Sequence, residues 1–400
     1  MAPPIEVLIL GAGPHALTLA AELCDRDPAW GQRLVAVDPA GCWMNDWNAR
    51  FDQLEITHLR SPTVHHPHPD PHAISRRRDL QRNDLTPGGY QRPSRRVFDL
   101  TVEELIESSG LNDSVIGGRV QDVRSDGDLW VTHLDDGRTL SAEHLVLATN
   151  RRRATIPTGV RQTAAIPDVR DVTAGERVVV IGGGLTAVQL ADQVLTRDGF
   201  PIMVTRRTLV ERHFDVDPGW MGPKYLDGFE RIADPTERVL TARSARGGGT
   251  VPPGDLERLR REVESGRVEL HEGNPVERAE TTDTGACVHL ADGRMIRADR
   301  VVAATGSLPS VDDDPIASQL VTASETDVVC DVPVLDDHLR LPGTTVYVTG
   351  GLATVQLGPA AGNLAGARRS AKRIAASLCG GTPMIEDPGT SSEVTATRLG

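Results

Sequence analysis

Gly11-Ala12-Gly13-Pro14-His15-Ala16 separates two apolar patterns: Val7-Leu8-Ile9-Leu10 before it, and Ala16, Leu17, Leu19, Ala20 and Leu23 at helical spacing after it. Glycines and a small residue at this spacing have a specific use. The first glycine bends strand into helix, the second admits main chain to a pyrophosphate, and the small third residue lets helix pack on strand. Gly11, Gly13, Pro14 and Ala16 are therefore expected to cradle phosphates on the amides of a helix N-terminus. The next apolar run, Leu34-Val35-Ala36-Val37, ends in Asp38, whose carboxylate suits a ribose diol.

The pattern recurs at Gly182-Gly183-Gly184-Leu185-Thr186-Ala187, after Arg177-Val178-Val179-Val180-Ile181 and ahead of a stripe of Leu185, Val188, Leu190, Ala191 and Val194. Gly182, Gly184, Thr186 and Ala187 take the corresponding places. Pro201-Ile202-Met203-Val204 then leads to Arg206 and Arg207, where the first unit has Asp38. Guanidinium groups there suit a 2′-phosphate, which an acid would repel. The reading is FAD at the first turn and NADPH at the second, adjacent so that an electron pair can pass between them.

Three further groups are candidates for chemistry. His65-His66-Pro67-His68-Pro69-Asp70-Pro71-His72 offers imidazoles and a carboxylate of the kind zinc or iron accepts. Its prolines, however, hold the backbone extended and disperse the rings, which favours a rigid loop over a pocket and no metal, with one of the histidines handling protons. Asp215 to Lys224 is dense in turn residues, and closure over a ligand and a plain surface loop both remain open readings. Cys42 has no partner thiol in a CxxC pair, so packing beside Trp43 is the favoured role.

Elements of α/β type must position these residues. Leu134-Asp135-Asp136-Gly137-Arg138 through Asn150 mirrors Leu290-Ala291-Asp292-Gly293-Arg294 through Gly306, each copy reading as strand, Asp-Gly turn and re-entering strand. The expected fold class is α/β with two Rossmann-like dinucleotide-binding domains, the NADPH domain inserted into the FAD domain. Residues 1–170 would form the first part of the FAD domain, 171–306 the NADPH domain, 307–379 the second part, and 380–400 a disordered tail. The stretch from Phe51 to Gln91 reads as a long ordered loop, and Gly247-Gly248-Gly249 with Pro252-Pro253 as a flexible one.

At 400 residues, 39% hydrophobic and 25% charged, the chain has the composition of a globular protein with a sizeable core. A formal net charge of -13 argues against nucleic acid and anionic membrane surfaces as partners. Arg76-Arg77-Arg78 and Arg151-Arg152-Arg153 read as solvated loop charges rather than phosphate-tracking stripes. No apolar run approaches the length of about eighteen residues that spans a bilayer, and no basic leader precedes Gly11, so a cytoplasmic protein is expected. The five cysteines are scattered without a CxxC pair, which disfavours a disulfide framework.

On these motifs the sequence resembles, from roughly Pro4 to Leu378, the two-dinucleotide-binding-domain flavoproteins. That superfamily holds the glutathione- and thioredoxin-reductase-like enzymes and the class B flavin monooxygenases. The resemblance implies that Val346-Tyr347-Val348-Thr349-Gly350-Gly351 returns the chain to the flavin ribityl group. It also implies a helix from about Gly358 to Ser377, buried along Ala361, Leu364 and Ala365, with its N-terminus toward the isoalloxazine. Reductases of the group usually carry aspartate where this chain has Gly351, a departure that bears on recognition of the ribityl hydroxyls. Val120, Thr149, Thr305 and Gly306 complete the set expected along the two cofactors.

Within the superfamily the sequence is most similar to the N-hydroxylating monooxygenases of the lysine and ornithine hydroxylase kind. Gly41-Cys42-Trp43 resembles their Gly-Gly-x-Trp segment, which adds Trp43 to the cofactor-side residues. Leu59-Arg60-Ser61-Pro62 stands where such proteins line the reactive face of the flavin, which marks Arg60, Ser61, His65 and His66 as catalytic candidates. The FxGxxxH fingerprint of other class B enzymes is absent between Asn150 and Arg177, as is the phenylalanine- and lysine-rich loop of siderophore hydroxylases. The implied activity is NADPH-dependent oxygenation of a small-molecule heteroatom, most readily an amine, with dioxygen as co-substrate. A flavin reductase working through Cys42 and a non-catalytic FAD- and NADPH-binding protein are the alternatives, and a homo-oligomer is compatible with any of the three.

Overall fold

The computed structural model describes residues 4–88, 90–149, 152–162, 166–282 and 285–380. The tail expected after Gly380, and Arg151 of the second arginine run, lie outside the described residues. The chain opens with β1 (Ile5–Leu10), α1 (Pro14–Arg26) and β2 (Leu34–Asp38). α2 (Asn45–Gln53) and α3 (Arg95–Ser108) flank a long excursion, followed by β3 (Val115–Gly117), β4 (Val120–Asp126), β5 (Leu129–Leu134), β6 (Thr139–Leu147) and β7 (Arg152–Ala154). The strands line up as β3-β2-β1-β6-β5-β4. β1 runs parallel to both β2 and β6 and is covered on both faces, which is why Val7 to Leu10 form an unbroken apolar run rather than an alternating one.

The second unit begins with β8 (Arg177–Ile181), α4 (Leu185–Thr196) and β9 (Phe200–Val204). It continues through α5 (Pro223–Glu230), α6 (Pro235–Arg246), α7 (Pro253–Glu264), β10 (Glu269–His271), β11 (Val276–Thr282), β12 (Gly285–Leu290), β13 (Met295–Ala298) and β14 (Arg300–Ala303). A parallel sheet in the order β10-β9-β8-β14 carries a separate antiparallel sheet, β11-β12-β13, beside it. The two Asp-Gly turns anticipated from the repeat are near copies. Gly137 and Gly293 each sit at a φ of 85°, and the amides of Leu134 and Leu290 each donate to an arginine carbonyl at 2.9 Å. The second copy breaks between β13 and β14, because Asp299 accepts from the Arg177 amide at 2.7 Å and turns the chain from one sheet into the other.

The chain then returns through β15 (Ser307–Pro309), antiparallel to β7, and continues with α8 (Pro315–Ala323), β16 (Val328–Val329) and β17 (Val332–Pro333). β18 (Val346–Val348) joins the first sheet parallel to β6, ahead of α9 (Thr354–Leu357) and α10 (Leu364–Leu378), which packs on α1. α10 starts later than the resemblance implied. A separate short turn occupies Gly358–Ala360, and Asn363 caps the helix by accepting from the Gly366 amide at 3.0 Å. Ala361, Leu364 and Ala365 are buried as expected. Arg77 is not a solvated loop charge, since its side chain is 10% exposed and forks between Asp79 and Glu104. No helix among the described residues is long and apolar enough to cross a membrane.

Candidate functional site

At the first glycine turn the backbone does what the spacing anticipates. Gly11 has a φ of 108°, and a Cβ on it would lie 2.9 Å from the Ala148 carbonyl oxygen, so the close approach of β1 to the end of β6 admits only glycine. Gly13 precedes α1 as its N-terminal cap, Pro14 opens the helix, and Ala16 is fully buried beneath it. A Cβ on Gly13 would meet nothing within 4 Å. The helix N-terminus is therefore open on the side where a pyrophosphate would sit, and the residues fit the group. Asp38 faces this turn, its Oδ2 accepting from the Ala12 amide at 3.2 Å and its Oδ1 from Ala40 at 3.0 Å. The Gly118 amide bonds the Asp38 carbonyl at 3.1 Å, which brings half-buried Val120, at the start of β4, to the same edge.

The loop after Asp38 is pinned by Trp43, which is buried and donates its indole N–H to the Leu111 carbonyl at 2.9 Å. That bond uses the only polar atom of the ring, so any contact of Trp43 with a cofactor is through its face. Cys42, the preceding residue, is an exposed free thiol, and the other four cysteines are free as well. Across the sheet, the Thr149 hydroxyl donates to Asp314 at 2.5 Å, and Asp314 caps α8. Past β18, Thr349 bonds Ser370 of α10 at 2.6 Å and His15 of α1 at 3.0 Å. Gly350, with a φ of 78°, and Gly351 follow at once, and a Cβ on Gly350 would meet nothing within 4 Å. The carboxyl ends of β1, β6 and β18 thus present an open glycine-lined edge, which is where ligands bind in parallel α/β sheets. His15 and Ser370 were not singled out by the sequence, whereas Thr349 lies in the segment expected to return to the flavin. The contact of His15 with Thr349 joins residues 334 positions apart, and His15 differed from a surface helix residue in nothing but its place behind Pro14.

The second turn has the same motif and a different neighbour. Gly182 has a φ of 154°, with Ala304 against it as Ala148 is against Gly11, and Ala187 is fully buried. Thr186 is half-buried in the first turn of α4. At Gly184 a Cβ would lie 3.2 Å from the Cα of Gly249, so here the loop between α6 and α7 covers the glycine. Arg206 is exposed and makes no hydrogen bond or ion pair among the described residues. Arg207 instead turns onto that loop, donating to the carbonyls of Gly247 and, at 3.0 Å, Gly249. Thr305 and Gly306 are exposed, and the Thr305 hydroxyl donates to the Thr155 carbonyl at the return of the chain.

Of the four catalytic candidates, Arg60 has the most definite environment. Its Nε donates to the His213 carbonyl at 3.1 Å, Nη1 to Asp215 at 2.7 Å and the Thr250 carbonyl at 3.2 Å, and Nη2 to the Arg212 carbonyl at 3.0 Å and the Thr250 hydroxyl at 2.6 Å. The whole guanidinium fork is satisfied by the second unit. The opposite oxygen of Asp215 accepts from Arg246 at 3.1 Å, and Arg246 also donates to the Pro359 carbonyl at 2.9 Å. Arg60 is thus a clasp between the two units, and Asp215, the one residue of the turn-rich stretch in the clasp, holds both arginines. Ser61 is half-buried beside it, with no side-chain hydrogen bond among the described residues.

The histidine loop docks on α10 through Arg368, which donates to the carbonyls of His68 at 2.5 Å and Pro69 at 2.7 Å. Burial, aided by the Arg368 charge, lowers His65 to about 4 and His66 to about 3. Both rings are neutral at physiological pH, and Nδ1 of the fully buried His66 has no hydrogen-bond partner among the described residues. Among the described residues no three His, Cys, Asp or Glu side chains converge to hold a metal ion. A cleft of about 640 Å³ opens in the helical excursion of the second unit, between Arg212 and Asp217 at its charged rim and Trp220, Tyr225 and Leu240 along its walls.

A model of the pyridine nucleotide-disulphide oxidoreductase family matches residues 5–370. No curated protein sequence matches the chain. Among solved structures, the ornithine N-hydroxylase of Kutzneria sp. 744, with reduced FAD, NADP+ and L-ornithine, superposes with a TM-score of 0.73 at 17% identity over 94% of this chain and 99% of that one. The cadaverine monooxygenase of Erwinia amylovora, bound to FAD, gives 0.70 at 15% identity over 98% and 100%. The bacillithiol disulfide reductase of Bacillus cereus gives 0.60 at 17% identity over 94% and 99%. At such identities the likeness establishes the fold.

Proposed function

The chain belongs to the pyridine nucleotide-disulphide oxidoreductase family, whose cofactors are FAD and a nicotinamide dinucleotide, and from that premise we propose an NADPH-dependent flavin monooxygenase acting on a small-molecule amine. One observation carries the reading. Two sheets present glycine turns of the same design between parallel strands but end in opposite charges, Asp38 at one and, at the other, Arg206, unpaired among the described residues, and Arg60 clasps the two units together. An acid for a ribose diol and a guanidinium for a 2′-phosphate assign FAD to the first turn and NADPH to the second. The ornithine N-hydroxylase and the cadaverine monooxygenase with this fold support an amine as the oxygen acceptor.

Bound FAD would supply the redox chemistry, taking an electron pair from NADPH and giving it to dioxygen. The amides at the start of α1 would hold its pyrophosphate, Asp38 its ribose, and the Thr349-Gly350-Gly351 segment its ribityl chain. Neutral His65 and His66, on a loop locked to α10 by Arg368, would exclude water from the flavin side without adding charge. The exposed Cys42 keeps a second reading in play, a reductase with a single thiol. Purified protein given FAD, NADPH and ornithine, lysine or cadaverine should consume dioxygen with NADPH and yield an amine one oxygen atom heavier. NADPH oxidation that runs at the same rate without dioxygen and leaves no oxygenated amine rejects the monooxygenase. Turnover abolished by Cys42→Ser would move the assignment to the reductase.

A further inference from the structure

The three consecutive glycines after α6 are each explained by a different contact. Gly247 ends the helix at a φ of 64°. Gly248, at a φ of 89°, lies under Arg207, where a Cβ would come within 2.5 Å of Nη2. Gly249 has no positive φ, yet a Cβ there would lie 2.7 Å from the Cα and 2.8 Å from the N of Gly184. Its requirement is close approach, and what it approaches is the second glycine of the nucleotide motif. At the first site that glycine faces open space; at the second the protein's own main chain occupies the position a pyrophosphate needs. The loop is held there from both ends. Arg207 grips the carbonyls of Gly247 and Gly249, and Arg60 grips buried Thr250.

We propose that Gly247–Gly249 is a latch across the second dinucleotide site, that Arg207 is the residue holding it shut, and that the 2′-phosphate of NADPH opens it by drawing the Arg207 guanidinium away from the loop carbonyls. The proposal rests on the reading of this turn as the NADPH site. It assigns the two arginines separate tasks. Arg206, exposed and unpaired among the described residues, receives the phosphate directly, whereas Arg207 makes NADPH preferred because NADH, lacking that phosphate, has nothing to exchange for the loop carbonyls. A site whose open form holds about one molecule in ten binds about tenfold more weakly than its open form would.

The test is calorimetric titration of the intact, FAD-loaded protein with NADP+ and with NAD+. Arg207→Ala should bind NAD+ about tenfold more tightly than the unaltered protein, because the latch is gone, while the preference for NADP+ shrinks. Arg206→Ala should weaken NADP+ and leave NAD+ unchanged. Gly249→Ala forces a Cβ into the Gly184 backbone and displaces the loop with Arg207 in place, so NAD+ should again gain; this variant serves should Arg207→Ala fail to fold. NADP+ binding weakened by Arg207→Ala with NAD+ affinity unmoved would make Arg207 an ordinary phosphate reader and overturn the latch while the NADPH assignment stands. An unchanged NAD+ affinity in Gly249→Ala would overturn it equally. Absence of binding by either nucleotide to the unaltered protein, to Arg207→Ala and to Gly249→Ala would remove the latch and the nucleotide site together.

Discussion

Gly11 and Gly13 are both glycines, for different reasons that substitution can separate. Gly11 is required by the fold, with a φ of 108° and the Ala148 carbonyl against it, whereas Gly13 borders only open space. Gly11→Val should therefore lose FAD and also destabilise the protein, by about 1–3 kcal/mol for the strained backbone alone. Gly13→Val should lose FAD while its flavin-free form melts as the unaltered flavin-free protein does, since its side chain would fill the ligand's place and no other. Flavin absorbance per mole of protein and thermal melts of the flavin-stripped proteins give both answers. Full yellow colour in Gly11→Val would show that this turn is not the FAD site. Both glycines are legible in the sequence because the motif that contains them is local, a strand, a turn and a helix in direct succession, although the carbonyl that presses on Gly11 comes from Ala148. Arg60 is different. Its motif pointed to a flavin-facing role, but its five acceptors come from Arg212, His213, Asp215 and Thr250, and nothing in the sequence announces a partner that far along the chain.

Among elements, the histidine loop makes the clearest claim about pH. Unfolded, His65 and His66 take up a proton near 6.5, but folded they resist it until about 4 and about 3, chiefly because they are buried and secondarily because Arg368 is near. Below pH 6.5 the unfolded chain therefore binds more protons than the folded one, and stability present above that value drains away as the pH falls toward about 4. Melting temperature should drop between pH 6.5 and about 5, a window in which ordinary carboxylates remain ionised. His65→Gln/His66→Gln should flatten that slope, the remainder coming from His68 and His144, which burial also depresses. An identical slope in the double variant would show that the loop is not buried in solution as it is here. The prolines led to the expectation of a rigid loop, but the arginine that docks it on α10 is some three hundred positions away. The sequence did not disclose α5 and α6, because turn residues from Asp215 to Gly222 mask the approach and α6 carries a weakly segregated apolar face, with Val239 and Ala242 as its buried positions. The glycines after α6 read as flexible because the contacts that demand Gly248 and Gly249, with Arg207 and Gly184, are not local.

For the molecule as a whole, the clasp at Arg60 sets how the two units sit. Arg60→Met keeps the length and apolar stem but leaves Asp215 facing Arg246 alone and strips Thr250 and two carbonyls of their donor. The expected loss is about 2–3 kcal/mol, that of hydrogen bonds to a charged group, read as a lower midpoint in urea. An unchanged midpoint would mean that other contacts between the units carry their association. The interleaving of the units has a further consequence, for biosynthesis. The Thr345 hydroxyl meets the Glu143 carbonyl across 202 positions, and β18 completes the first sheet beside β6 only when nearly the whole chain exists. The second parallel sheet, β10-β9-β8-β14, draws all its strands from residues 177–303. On the ribosome, then, the later-starting unit can close first, and the half-built first sheet waits with the edge of β6 exposed, a state prone to mispairing. Ribosome-stalled chains of increasing length should gain protease resistance across residues 177–303 before any of them retains flavin. Flavin retained by chains too short to include Val346 would mean that the first unit closes without its last strand.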